Sequence, residues 1–343
     1  MTIARSVADR LVARLAGSYP LAETYHIDAL TAEMDTITER VSRIVPEATG
    51  LALPGDPTTV IVGRTDWVSR NVASFSAMIE PVRRHMEERL EQAGRNPEIA
   101  GKLIDRETGL LLAVLSRRVL GQYELVLPGG EPGDTVAYVG PNIIQMERRH
   151  HFLPAEFRFW VALHELTHRA QFQGVPWLRE YFGGLVNQLV EASKPEPGRW
   201  QRVFTELGVR RTAGRPLVDQ RGIFGLFATP EQNEVVNRVQ ALMSLLEGHG
   251  HYVMDRVGAE HLKSQERMSR ILKGRRVDRR TAAFFRLTGL EMKMEQYRRG
   301  EEFVAKVERL ASWESVNLAF AAPESLPTLD EISDPARWLQ RVA

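Results

Sequence analysis

The chain has 343 residues, 43% of them apolar, enough to bury one large core or two ordinary ones. Its 45 basic and 44 acidic residues leave a formal charge of +1, so no charge excess points to nucleic acid or to a disordered acidic tail. Cysteine is absent, which rules out disulfides, thiolate metal sites and a cysteine nucleophile, and leaves histidine and carboxylate as the only strong zinc donors.

The N-terminus mixes charges with an apolar stripe, Ile3, Val7, Leu11 and Leu15, at helical spacing. It lacks the continuous apolar core of a signal peptide. No run of about 18 apolar residues occurs, so the expectation is no membrane span and a cytoplasmic location. Residues 1–50 read as a helical extension with a break near Gly17 to Pro20. The run Val60-Ile61-Val62 reads as a strand or a buried loop. Helical spacing returns over 67–120, through Val72, Phe75, Ile79, Val82 and Met86 and then Leu103 to Leu120, with a break expected near Gly109. Tyr123–Leu127 and Thr135–Val139 flank a Gly/Pro turn and predict a β-hairpin. Its edge suits an extended peptide added as a strand, and a purely structural hairpin over the core fits equally well.

Residues 154–173 predict a helix with Pro154 in its first turn. Phe157, Val161, His164, His168 and Phe172 lie on one face of it. Residues 193–230, rich in Pro, Gly and Arg, read as a long connection, and 231–256 as a second strong helix. Residues 260–312 are helical and charged apart from a break at Leu287-Thr288-Gly289, and the tail ends in a short helix, Pro335 to Val342. There is no internal repeat. The whole reads as a single, mainly α domain over 1–343 with a small β-hairpin or sheet.

The first of these two helices carries His164-Glu165-Leu166-Thr167-His168, an H-E-x-x-H pattern. Histidines at i and i+4 point from one helical face, as the first two ligands of a zinc ion require, and the glutamate between them is placed to act on a water. A shuffled chain of this composition contains the pattern roughly once in fifty, so its context decides. A catalytic zinc site needs a third protein ligand. The extended histidine motif would put it at 174, which is Gly174. The second helix offers Glu247-Gly248-His249-Gly250-His251 and then Asp255, with Glu247, His251 and Asp255 on one face. Glu247 is taken as the third ligand. His251 is either a competing ligand or a group that orients a ligating imidazole, and Asp255, about 12 Å beyond Glu247, is a helix-end or packing residue. The two glycines admit a metal or a close helix contact. His150 and His151 fit a solvated turn, and His26, His85 and His261 fit surface or core roles. Tyr181, Tyr252 and Tyr297 are candidates to stabilise an oxyanion, against core packing with a satisfied hydroxyl.

The run His164 to Phe172 with Pro176-Trp177-Leu178 is similar to the zincin-like metallopeptidases of actinobacteria and some other bacteria. So are Gly140-Pro141-Asn142-Ile143, Leu246-Glu247-Gly248-His249-Gly250 and Lys293-Met294-Glu295-Gln296-Tyr297. The segments occur in the family's order across roughly 50–335. The branch it most resembles is associated with biosynthesis of the deazaflavin coenzyme F-420. The resemblance implies a mostly helical zincin-like fold, its motif helix packed on the second ligand-bearing helix. It also implies His164 and His168 as zinc ligands, Glu165 as the catalytic residue and Glu247 as the third ligand. An acidic residue is expected in relatives at the position of His251.

The expected activity is therefore zinc-dependent hydrolysis of a peptide or other amide, with Glu165 as general base. A catalytically silent zinc-binding module is the alternative, and the intact Glu165 favours the enzyme.

Overall fold

The computed structural model describes residues 12–92, 94, 96, 98–125, 133–192, 230–275 and 291–343. Ile3, Val7, Leu11, the 287–289 break and nearly all of the 193–230 connection lie outside them. The described helices are α1 (Tyr25–Thr49), α2 (Arg64–Gln92), α3 (Glu98–Leu115), α4 (Gly140–His150), α5 (Pro154–Gly174), α6 (Leu178–Ala192), α7 (Pro230–His261), α8 (Gln265–Arg275), α9 (Glu291–Leu310), α10 (Leu329–Ser333) and α11 (Pro335–Val342). Three strands accompany them: β1 (Thr58–Val62), β2 (Gly121–Tyr123) and β3 (Thr135–Val139). The protein is mainly α with a small mixed sheet. Among the described residues no helix is long and apolar enough to cross a membrane.

The chain forms two compact units, 1–179 with 253–268, and 180–252 with 269–343. In the first, the sheet has the order β1-β3-β2, with β1 parallel and β2 antiparallel to β3. The Val60-Ile61-Val62 run is thus a strand. The hairpin forms, but β2 lies earlier than its sequence suggests, because register pairs Gly121 with Tyr138 and Tyr123 with Val136. Helix α3 runs unbroken through Gly109, where the lack of a side chain lets Val12 approach. Val62, Trp67, Val68, Leu112, Ala113, Ala137 and Val139 form a core cluster between the sheet and α2–α3.

Asn142, buried at the start of α4, explains the Gly140-Pro141-Asn142 segment. Its amide donates to the Ser116 and Val119 carbonyls at 2.7 and 2.6 Å and accepts from Arg64 Nε at 2.7 Å. Arg158 of α5 donates to both oxygens of Glu147 in α4, at 2.8 and 3.0 Å, and to Glu33 of α1 at 2.6 Å. Those contacts orient the motif helix against its neighbours. His150 ends α4, partly buried and stacked on Phe152 rather than in a solvated turn, and His151 follows in the left-handed region at φ 51°, with both carbonyls accepting from Arg267.

In the second unit Phe303, Val307, Val316, Ile332 and Trp338 are buried together. Trp338 Nε1 donates to the Ser325 carbonyl at 2.8 Å, and Thr328 and Glu331 form a capping box on α10. Helices α7 and α9 approach through glycine: a Cβ on Gly248 would overlap the Gly300 backbone, and one on Gly300 would overlap the Ser244 carbonyl. Of the two uses open to Gly248 in the sequence, close helix contact is the one observed. Gly300→Ala is expected to cost about 3 kcal/mol, because both clashing partners are backbone. A lower urea midpoint at unchanged slope checks it.

Candidate metal centre

Helix α5 is amphipathic in an unusual sense: nearly all of it is buried, and His164 and His168 are the partly exposed breaks in that burial. Phe157, Val161 and Phe172 on the same face are buried and fix the helix in the core. The i, i+4 spacing then aims both imidazoles the same way. Their rings are 4.5 Å apart at 78°, and the two Nε2 atoms lie 3.2 Å from each other.

That separation can be tested against zinc. Two nitrogens each about 2.0–2.1 Å from an ion at a tetrahedral angle are about 3.3 Å apart. The observed spacing matches that chord, and imidazole nitrogen is a donor zinc accepts, so the histidine pair fits the metal. Gln171 adds a further condition. Its Oε1 lies 2.9 Å from His168 Nδ1 and accepts that N–H, which directs the Nε2 lone pair to the side where His164 converges. Gln171 is fully buried, one turn along the same helix. It went unread in the sequence, although an i, i+3 polar partner to a motif histidine was available as a signal.

Glu165 leaves the helix on another face and is 5% exposed. The Tyr123 backbone N–H donates to its Oε2 at 3.2 Å. Beside it, burial pushes the Tyr138 phenol well above its usual range. The hydrogen bond with Thr38 opposes that push, and the Glu165 charge adds to it, so Tyr138 stays protonated. The Tyr123 phenol is also pushed up by burial, against the pull of Arg179, which donates to its oxygen at 3.0 Å while Gln173 donates at 2.9 Å.

Arg169, directly after His168, is fully buried. It donates to both Asp134 oxygens at 2.7 and 2.5 Å and to the Pro54 and Gly55 carbonyls at 2.6 and 3.0 Å. Position 174 is closed to a histidine for a steric reason: a Cβ there would overlap the Ala52 carbonyl oxygen.

The other candidates separate by unit. The end of α7, from Val253, belongs with α5 in the first unit. There Ser264 donates to Glu156, His261 packs on Phe159, and Gly258 meets Trp160, so the two helices run antiparallel. Asp255 accepts from Gln265 Nε2 at 2.8 Å, the helix-end role its position suggested. Glu247 and His251 lie on the second-unit part of α7 and are partly buried. His249 is fully buried, stacked on Trp313 and edge-on to Phe320. Tyr252 stacks on Trp313, and its hydroxyl donates to Glu308. Tyr181 lies in the first turn of α6, partly buried, and the Tyr297 side chain lies outside the described residues. His26 stacks on Tyr25 and contacts the Thr24 hydroxyl, and the His85 side chain is not among those described.

A helical fold with a small mixed sheet, and an H-E-x-x-H helix whose imidazoles converge, defines a zincin-like protein. The match to the zincin-like metallopeptidase family extends over residues 1–339, and the chain belongs to that family. It is also similar to the crystal structure of a proposed hydrolase with a novel fold from Chloroflexus aurantiacus. The match covers 98% of this chain and 96% of that one, at 29% identity and a TM-score of 0.70. No functionally curated protein matches the chain. Family and neighbour together set the class as hydrolase of metallopeptidase type.

Gln171→Leu is expected to keep the fold and weaken zinc binding about 10–100-fold, with Gln171→Glu restoring most of it. Competition with a colorimetric chelator measures both.

Proposed function

We propose that the protein is a zinc-dependent hydrolase that cleaves an amide, most simply a peptide bond, with zinc held by His164, His168 and Glu247. The observation that carries the reading is the convergence of the two Nε2 atoms at zinc-ligand spacing, with Glu165 between them in sequence. Glu247 as third ligand is supported by the donor chemistry, since a carboxylate completes a His/His set without cysteine. Glu247 and His251 both lie on α7 (Pro230–His261). His251, one turn on, is the second ligand candidate on that helix.

Zinc in such a site supplies a water of pKa about 7 and a Lewis acid for the carbonyl. The rest falls to the chain. His164 and His168 bind and orient through Nε2, and Gln171 holds the His168 tautomer that leaves Nε2 unprotonated. Glu165 takes a proton from the attacking water and returns it to the leaving nitrogen. Glu165 is buried beside β2, where the Tyr123 backbone N–H donates to its Oε2.

The test uses zinc-loaded full-length protein on a peptide library, with products read by mass spectrometry. Glu165→Gln should retain zinc and lose at least about 100-fold in rate. Full activity in that variant would overturn the mechanism, and a zinc-loaded parent that cleaves nothing would favour a silent zinc-binding module. Glu247→Ala should release zinc under chelator competition. If it binds zinc as tightly as the parent while His251→Ala does not, His251 is the ligand.

A further inference from the structure

The general base in this fold needs more than its place in the motif, because a glutamate on a buried helix has several rotamers. Two features of β2 restrict Glu165. The first is Gly121: a Cβ built there would lie 2.6 Å from Glu165 Cγ and 2.8 Å from both Cδ and Oε1. Glu165 therefore occupies the volume that any larger residue at 121 would take. The second is the Tyr123 N–H, two residues on, which donates to Oε2 at 3.2 Å. Residues 121 and 123 share a face of the strand and alternate with Gln122, whose backbone faces β3. Space and donor thus come from one strand at the spacing the pleat dictates.

We propose that Gly121 and the Tyr123 amide are positioning residues for Glu165, and that Gly121 is glycine to accommodate the general base and for no backbone reason. The proposal rests on the role given to Glu165 above. Gly121 is not among the glycines with positive φ, so alanine can adopt its backbone. The atoms that alanine would strike, Cγ, Cδ and Oε1, all belong to the one side chain of Glu165, and none is backbone. Gly121→Ala should therefore leave the fold standing and evict Glu165 from β2.

The same geometry bears on how a substrate reaches the strand. Tyr123 N–H points away from β3 and is the group an added peptide strand would use at that position. Here Glu165 takes it. A peptide pairing along β2 at Tyr123 would have to displace Glu165, so that amide is closed to an added strand while Glu165 is in this place.

Two readouts test the proposal. In the zinc-loaded parent, hydrogen exchange at the Tyr123 amide is followed by NMR. Glu165→Ala should accelerate it about ten-fold, as loss of a charge-assisted hydrogen bond does. Gly121→Ala should do the same, and the double variant should exchange no faster than Glu165→Ala alone. An unchanged rate in Gly121→Ala, or two independent factors that multiply in the double variant, would overturn the proposal. If Gly121→Ala fails to fold, Glu165→Ala still decides, since an unmoved Tyr123 amide refutes the contact. The second readout is catalytic: Gly121→Ala should lower kcat about 100-fold with KM and zinc affinity near parental values. Exchange does not depend on turnover. A protein with coupled Gly121 and Glu165 but no zinc and no activity would refute the hydrolase reading and leave the positioning role intact.

Discussion

A guanidinium with no exposed surface sits directly after the second motif histidine, and the placement of the motif helix depends on its bonds. Arg169 gives two bonds to Asp134, at the threshold of β3, and two more to the carbonyls of Pro54 and Gly55, ahead of β1. An unpaired buried arginine would be far too costly to persist, so the helix can occupy only the position where all of these acceptors meet it. That fixes the rotation of α5 about its own axis. Rotation in turn decides where His164 and His168 point and which strand faces Glu165. Arg158, one helical stretch earlier, does the same job against Glu147 and Glu33. Two buried arginines eleven residues apart thus clamp the helix at both ends of the motif.

Between those clamps the chemistry is divided by helical face. The imidazoles leave on the partly exposed side and converge on each other. Glutamate leaves toward the sheet, where a glycine makes room and a backbone amide receives it. The His168 imidazole is oriented by side-chain hydrogen bonding within the helix, through Gln171. Glu165 is received by a strand about forty residues away in sequence.

This division also explains what the sequence revealed. The histidines and the glutamate were legible because their relation is local: four residues on a helix carry their own geometry. Pro154 marked the start of that helix, since it acts on the backbone within a turn. The strand at 60–62 was ambiguous because a three-residue apolar run looks the same whether it pairs or is merely buried, and only β3 resolves it. Strand β2 was placed too late, because the propensity of Tyr123–Leu127 was stronger than that of Gly121-Gln122, and register with Thr135–Val139 overruled propensity. Gly121 and Arg169 could not be recognised at all. A glycine that clears space and an arginine that binds carbonyls look like any others until the partner, 44 or 115 residues away, is brought alongside. Gly248 was readable as a small residue with a purpose, but its partner Gly300 lay in a helix whose approach no local pattern announces.

The crossing of Ala52 over the end of α5 has a consequence for anyone who would redesign this protein. Many metal centres are retuned by swapping one donor for another, and a third imidazole six residues beyond the second is the obvious graft. Here the main chain of a preceding loop already fills that volume, and main chain cannot rotate away as a side chain can. Altering the donor set, and with it the electrophilicity or colour of a substituted ion such as cobalt, would have to proceed from somewhere other than the end of α5.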